Sequence, residues 1–212
     1  MNKSILMSIQ PQYVAKILNG EKTIEVRKKF PKDYIGWVYI YCTKGKGKHR
    51  DNQIAFNIET HKYFFNENLG SHNPNDIQWC GFNGKVVARF WCDKVEEIKV
   101  YDIFGVNAYR TEEMCVLDLV SKSRLTQADF ERYLGNKNGY AIHISKLEVF
   151  DKPKELKEFR HTCKAEHRGY NRRQPCSKEC KNCICNQIDD EGYSQCFSRL
   201  TKAPESWCYI YE

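Results

Sequence analysis

Residues 37–43, Trp37-Val38-Tyr39-Ile40-Tyr41-Cys42-Thr43, are apolar on both sides of an extended chain. Side chains of a strand alternate, so Trp37, Tyr39 and Tyr41 point one way and Val38, Ile40 and Cys42 the other. A strand with two apolar faces needs cover on both, which places it at the centre of a sheet and not at its edge. The rest of the chain therefore has to supply neighbouring strands and two covering layers. With 41% hydrophobic and 13% aromatic residues, it has the side chains to do so.

Candidates for that cover follow from periodicity. Ser4–Ile9 reads as a short strand. Pro11 suits the first turn of a helix, in which Tyr13, Val14, Ile17 and Leu18 share a face, and Gly20 stands at its C-terminal cap. A second strand is expected over 23–27. From Gly84 onward, Val86, Ala88, Phe90 and Cys92 alternate with Lys85, Val87, Arg89 and Trp91. Two helices are predicted next. One opens at Thr111 with Glu112 and Glu113 in its first turn; the other opens at Thr126, has a capping-box partner in Asp129, and stops at Gly135. Tyr140–Phe150 reads as another strand and Trp207–Tyr211 as the last. Several short strands, one early helix and a late strand returning to the sheet predict an α+β fold: a closed or nearly closed mixed β-barrel.

Two stretches interrupt the periodicity. Residues 44–83 are rich in Gly, Asn, Lys and His, with an aromatic patch at Tyr63, Phe64 and Phe65, and read as a basic insertion. Residues 161–197 form a second, cysteine-rich insertion. Because a strand follows it, it is expected to be a loop on the barrel, which leaves 1–212 as a single domain.

The net charge of +7 is concentrated in these stretches. Lys44, Lys46, Lys48 and Arg50 have no acid between them, and residues 160–185 hold seven basic and two acidic residues. The remainder of the chain is slightly acidic. A clustered positive field suits a polyanion such as nucleic acid, so Lys44, Lys46, Lys48, Arg50, Arg168, Arg172 and Arg173 are the expected contacts to nucleic acid.

No apolar run approaches the roughly 20 residues that span a bilayer, and the apolar run after Ser4 is too short for a secretion signal. A cytoplasmic, reducing location and no membrane partner are expected. Eleven cysteines are compatible with that, since the number is odd and several fall on strand patterns. Cys42, Cys92 and Cys208 are expected to be buried as small hydrophobes. The dense group Cys176-x3-Cys180-x2-Cys183-x-Cys185, followed by Cys196, suggests a structural zinc held by Cys176, Cys180, Cys183 and Cys196. Cys185, Cys163, His161 and His167 are further candidates, and unliganded thiols, a disulfide or an iron–sulfur cluster are the alternatives. The spacing also matches the cluster motif of radical SAM enzymes, but too few residues follow it to build their barrel.

The turn from first helix to second strand reads Gly20-Glu21-Lys22-Thr23-Ile24-Glu25-Val26-Arg27. It resembles the G-x-K-x-x-E-x-R signature of ASCH domains, members of the PUA-like superfamily. Ile9–Leu18, Gly139–Ile144 and the ending Ala203–Tyr209 are also similar to phage and bacterial members, in the same order. The resemblance covers roughly residues 1–43, 84–160 and 198–212 and leaves out both insertions. It implies a PUA-like barrel and RNA or nucleotide binding around Gly20, Lys22, Thr23, Glu25 and Arg27. A carboxylate between two cations is held ionised, able to accept from a nucleobase amino group while the cations meet phosphate. Trp37, Tyr140 and Trp207 are aromatic candidates for stacking a base, Tyr140 and Trp207 foremost.

Catalysis is the other reading. Some bacterial ASCH proteins are amidohydrolases acting on N4-acylated cytidine, with a G-x-K-x-T-x-R pattern and a distant glutamate. Gly20, Lys22 and Arg27 align with it, but Glu25 stands where the threonine would be, and a carboxylate replaces a hydroxyl nucleophile poorly. Glu96 and Glu97 are candidates for the distant glutamate. Another branch resembles ribonucleases using Tyr, Lys and Ser. If the protein is an enzyme, Lys22, Glu25 and Arg27 are the residues to carry it; a non-catalytic base-binding pocket is the first choice.

Overall fold

The strand that is apolar on both faces lies inside a sheet of seven strands. The structure is a computed structural model describing residues 3–45, 53–66, 73–162 and 197–211. In chain order these form β1 (Lys3–Ile9), α1 (Pro11–Leu18), β2 (Ile24–Arg27), β3 (Gly36–Cys42), β4 (Ile54–Asn57), β5 (Lys62–Phe65), β6 (Ile77–Trp79), β7 (Val86–Cys92), β8 (Val95–Ile103), β9 (Val106–Arg110), α2 (Val116–Ser123), α3 (Gln127–Leu134), β10 (Gly139–His143), β11 (Ser145–Lys154), β12 (Arg160–Thr162), β13 (Phe197–Arg199) and β14 (Trp207–Tyr211).

The large sheet has the order β11-β7-β3-β1-β14-β12-β13, and a second sheet has the order β2-β10-β8-β9. β1 runs parallel to β3, with Ile5 beside Val38, and antiparallel to β14, with Met7 beside Trp207. The last strand thus returns to the first, as expected, and the class is α+β with a curled mixed sheet.

Three apolar layers hold these sheets. Ile5, Met7, Ile9, Val38, Ile40, Phe90 and Cys92 of the large sheet bury against α1, β4 and Ile142 of β10. On the far side of the large sheet, Leu6, Tyr39, Tyr41 and Val86 pack under Phe159, Leu200 and Ile210. The second sheet covers α2 and α3 through Ile24, Val26, Ile98, Ala141, Leu119 and Phe130. At about 1.5–3 kcal/mol for each large apolar side chain buried, these layers outweigh any single polar interaction described below. The second sheet is therefore a middle layer. Glu25, Arg27, Tyr140 and Ile142 share its face toward the large sheet, while Ile24, Val26, Ala141 and His143 share its face toward the helices.

Four local expectations are revised. Within 44–83, where no periodicity is visible, β4, β5 and β6 make a three-stranded sheet, and Ile54 and Ala55 are fully buried. Strands of three or four residues hold too few alternations to register as a pattern. β8 and β9 form an unpredicted hairpin, because along β8 charged and apolar residues fall on both faces. The helix expected at Thr111 begins at Val116. Thr111 is instead a loop residue whose Oγ1 accepts the Met114 N–H at 2.9 Å, a cap-like bond that does not start a helix. Finally, 140–150 is not one strand. β10 pairs with β2 and β8, whereas β11 pairs with β7. The chain passes between sheets at Ile144, whose N–H donates to the Thr23 carbonyl at 2.9 Å. A period of two does not say which partner a strand has.

Candidate functional site

Gly20 ends α1 with φ +71°, a left-handed turn that glycine adopts without cost. The turn feeds Lys22 inward, and it is almost completely buried at 2% exposure. Its ammonium donates to the Ser123 carbonyl at 2.6 Å, at the C-terminus of α2, where the helix dipole favours a cation. It also lies 3.4 Å from Glu25 Oε2 and 5.4 Å from the centre of the Tyr13 ring. Burial pulls the Lys22 amine below the usual lysine range, an effect that the Glu25 carboxylate partly offsets.

Glu25 and Arg27 follow on one face of β2 and are also buried. Arg27 Nε is 3.1 Å from Glu25 Oε1. Its Nη2 donates to the Ser8 carbonyl at 2.7 Å, and its Nη1 stands 3.5 Å from Ser206 Oγ. Two atoms are left over. Glu25 Oε2 and Arg27 Nε are buried, lie close to opposite charge, and yet make no aligned hydrogen bond. The cluster thus has two cations sharing one carboxylate, with one acceptor and one donor unused. Its geometry matches the carboxylate-between-cations arrangement expected from Gly20–Arg27.

The other expected site residues separate. Tyr140 is opposite Arg27 in the β10–β2 register and faces the same way. Thr23 is exposed ahead of the strand and does not join the cluster. Trp207 donates its indole N–H to the Lys29 carbonyl at 2.6 Å and packs edge-on against Phe30 at 5.6 Å, which makes it part of the wall beside the core. Trp37 lies on the outer face of the large sheet under the Arg89 guanidinium, 4.1 Å from its ring centre, away from Arg27. Lys44 is exposed. Lys46, Lys48, Arg50, Arg168, Arg172 and Arg173 lie outside the described residues, as do Cys176, Cys180, Cys183 and Cys196, with Cys163, Cys185 and His167. Among the described residues no group of three or more His, Cys, Asp or Glu is placed to hold a metal. Cys42 and Cys92 are buried as expected, burial pushing the Cys92 thiol up to about 12, while Cys208 is only partly buried.

Glu96 belongs to a different cluster. It pairs in register with Ala141, on the helix-facing side of the second sheet and opposite to Glu25. There Thr111 Oγ1 donates to Glu96 Oε2 at 2.6 Å, His143 Nε2 lies 2.6 Å from Oε1, and Lys94 Nζ lies 3.4 Å from Oε1. Burial pushes the Glu96 carboxyl up, but the Thr111 and His143 hydrogen bonds and the Lys94 charge more than offset it and hold it below the usual range. Glu97, in register with Tyr140, faces the same side as Arg27 and accepts from Asn138 Nδ2 at 3.1 Å.

A groove of about 770 Å³ lies beside Ser8, the residue whose carbonyl holds Arg27. Lys44, Lys157 and Lys202 border it, with Glu155 and Glu205, over Leu156, Leu200 and Pro204. Sequence reasoning missed Lys157 and Lys202, and also Ser8 and Ser206, because each is isolated along the chain and joins the others only through the fold.

In fold the chain is similar to a crystal structure of ASCH from Zymomonas mobilis, with 14% identity, 72% of this chain and 73% of that chain covered, and a TM-score of 0.42. Structures of two single-residue variants of that protein are similar too. One has 14% identity, 73% and 77% coverage and a TM-score of 0.41; the other has 15% identity, 73% and 78% coverage and a TM-score of 0.42. No protein-family model matches the chain, and no curated protein matches it. Similarity at these scores is to the course of the backbone and assigns no residue a role. Among the described residues no helix is long and apolar enough to cross a membrane.

Proposed function

We propose that the protein is an RNA- or nucleotide-binding module of ASCH type, with Lys22, Glu25 and Arg27 at the centre of its site. One observation carries this reading: two buried cations share one carboxylate, and a Glu25 oxygen and the Arg27 Nε have no aligned partner. Buried polar atoms are normally satisfied, and those that are not call for a partner. A nucleobase amino group donating to Glu25 and a phosphate oxygen accepting from Arg27 would complete the set. The Lys44–Lys157–Lys202 groove, on the far side of the large sheet, would add a separate basic surface. The basic stretches at Lys46–Arg50 and Arg168–Arg173 would add attraction that does not depend on sequence.

The test is fluorescence anisotropy with labelled RNA across a salt series. Binding should weaken steeply as salt rises, and Glu25→Gln, assayed where circular dichroism shows it folded, should bind its preferred ligand more weakly by about 1–3 kcal/mol. Absence of binding at low salt would end the proposal. Undiminished binding by Glu25→Gln would reduce the cluster to a tie between β2, α2 and β1.

One observation favours hydrolysis of N4-acylated cytidine as a second reading: a buried lysine, Lys22, its amine pulled below the usual lysine range by burial, stands 3.4 Å from the Glu25 carboxylate. Against it, Thr23 is outside the cluster and Glu96 faces the opposite side of the sheet, which leaves only Glu97, on the Arg27 side, as a distant glutamate. Incubation with N4-acetylcytidine and chromatography of the products decides it; turnover abolished by Lys22→Met would replace the binding reading with the enzymatic one.

A further inference from the structure

β8 outruns its sheet. Val95–Ile98 pair with β10, but the register with β9 continues from Lys99 opposite Arg110 to Ile103 opposite Val106. A two-stranded ribbon therefore projects beyond the second sheet. It closes at Phe104-Gly105, both left-handed with φ +52° and +80°, and Asp102 Oδ1 accepts the Gly105 N–H at 2.7 Å. In this register Lys99, Tyr101 and Ile103 share a face with Arg110, Ala108 and Val106. By the same alternation it is the face that carries Glu97, and through Glu97 and Tyr140 it continues the row that holds Arg27.

Two features of this ribbon are locally unfavourable. Phe104 at the tip is fully exposed, with Tyr101, Ile103 and Val106 also exposed beside it. A left-handed turn position suits Asn, Asp or Gly; an aromatic there is strained and, in water, recovers nothing by burial. At the base, Lys99 and Arg110 are directly opposite, and like charges so placed repel. The Arg110 guanidinium lies 4.5 Å from the centre of the Tyr101 ring, at a hollow closed by Thr111 and Glu112. A cation stacked on an aromatic beside a second cation, with a bare aromatic about 10 Å along the same ribbon, is suited to a strand of phosphates and bases.

We propose that the β8–β9 ribbon is a nucleic-acid arm, an inference that rests on the RNA-binding reading above. Lys99 and Arg110 meet phosphates of single-stranded RNA, and Tyr101 and Phe104 stack on its bases. The paired cations at its base favour a polyanion over a neutral protein partner. With Lys99, Tyr101 and Arg110 on the same face as Arg27, the arm extends the binding surface away from the core site along the strand.

Phe104→Asn is the informative substitution, because Asn suits the left-handed turn and removes only the ring. Binding is measured by anisotropy with a single-stranded RNA of about 12 nucleotides, together with quenching of a 2-aminopurine base in it. Phe104→Asn should weaken binding on the order of 5- to 100-fold and reduce the quenching, with the salt slope unchanged. Lys99→Ala with Arg110→Ala should instead lower the slope of log affinity against log salt by about 1.4 units, at roughly 0.7 for each phosphate no longer neutralised. If the parent protein binds no RNA, the functional reading falls and the arm with it. If the parent binds and Phe104→Asn binds equally well, the arm alone is overturned. The same holds if Phe104→Asn leaves RNA binding intact but abolishes self-association in sedimentation, or adsorption to phosphatidylcholine–phosphatidylserine vesicles, since the tip then serves a second copy or a lipid surface.

Discussion

Glu25→Gln is expected to destabilise the protein substantially, whatever it does to a ligand. Glu25 is the carboxylate between Lys22 at 3.4 Å and Arg27 at 3.1 Å, and each side chain is at most one-tenth exposed. The amide keeps the shape and removes the charge, leaving two buried cations without a counterion. Breaking a buried pair in this way costs about 3–5 kcal/mol, and the lower end applies here because Lys22 and Arg27 keep the Ser123 and Ser8 carbonyls. For a domain of this size a loss of about 3 kcal/mol lowers the melting temperature by roughly 6–12 °C. Urea unfolding near neutral pH, with calorimetry as a second probe, reads it directly. Adding Lys22→Met to Glu25→Gln removes one of the stranded cations, so the double variant should be at least about 1 kcal/mol more stable than the sum of the two single effects. A Glu25→Gln protein within about 0.5 kcal/mol of the parent would refute the reasoning, because surface charges behave that way and buried counterions do not.

Other consequences are open to measurement. Glu96 has its carboxyl held below its ordinary value of 4.5, so on acidification the unfolded chain takes up that proton first. Its stabilising contribution is complete above pH 4.5 and is lost as pH falls through the lower folded value; Glu96→Gln should flatten the acid limb of urea midpoints measured across that range. Iodoacetamide applied to native protein at mildly alkaline pH should modify exposed Cys115 and spare buried Cys42 and Cys92, whose thiols burial pushes up; labelling of Cys92 at the rate of Cys115 would contradict its burial. We also propose about one structural zinc per chain on Cys176, Cys180, Cys183 and Cys196, which elemental analysis of protein purified without added metal would detect; its absence with all these thiols titratable would remove the proposal. Replacing Lys46, Lys48, Arg172 and Arg173 with Ala should weaken RNA binding for every sequence and lower the salt slope by roughly 0.7 for each phosphate left unneutralised, whereas an unchanged slope would place the polyanion elsewhere.

Local chemistry made much of this protein legible in one dimension. The two apolar faces of Trp37–Thr43 required a central strand. Pro11 and Gly20 bracketed α1, Thr126 with Asp129 opened α3, and the spacing from Lys22 to Arg27 put two cations about one carboxylate. Each depends on residues within a few positions of one another, where backbone geometry dictates which side chains meet. Tertiary structure decided what depends on distant partners. That Glu25 and Arg27 face the large sheet while Glu96 faces the helices follows from the registers of β2, β10 and β8. Ser8 and Ser206, which flank Arg27, lie at opposite ends of the chain. The ribbon ending at Phe104 is visible once β10 is seen to stop pairing at Ile98, since strand pairing is non-local and alternation alone does not name the neighbour.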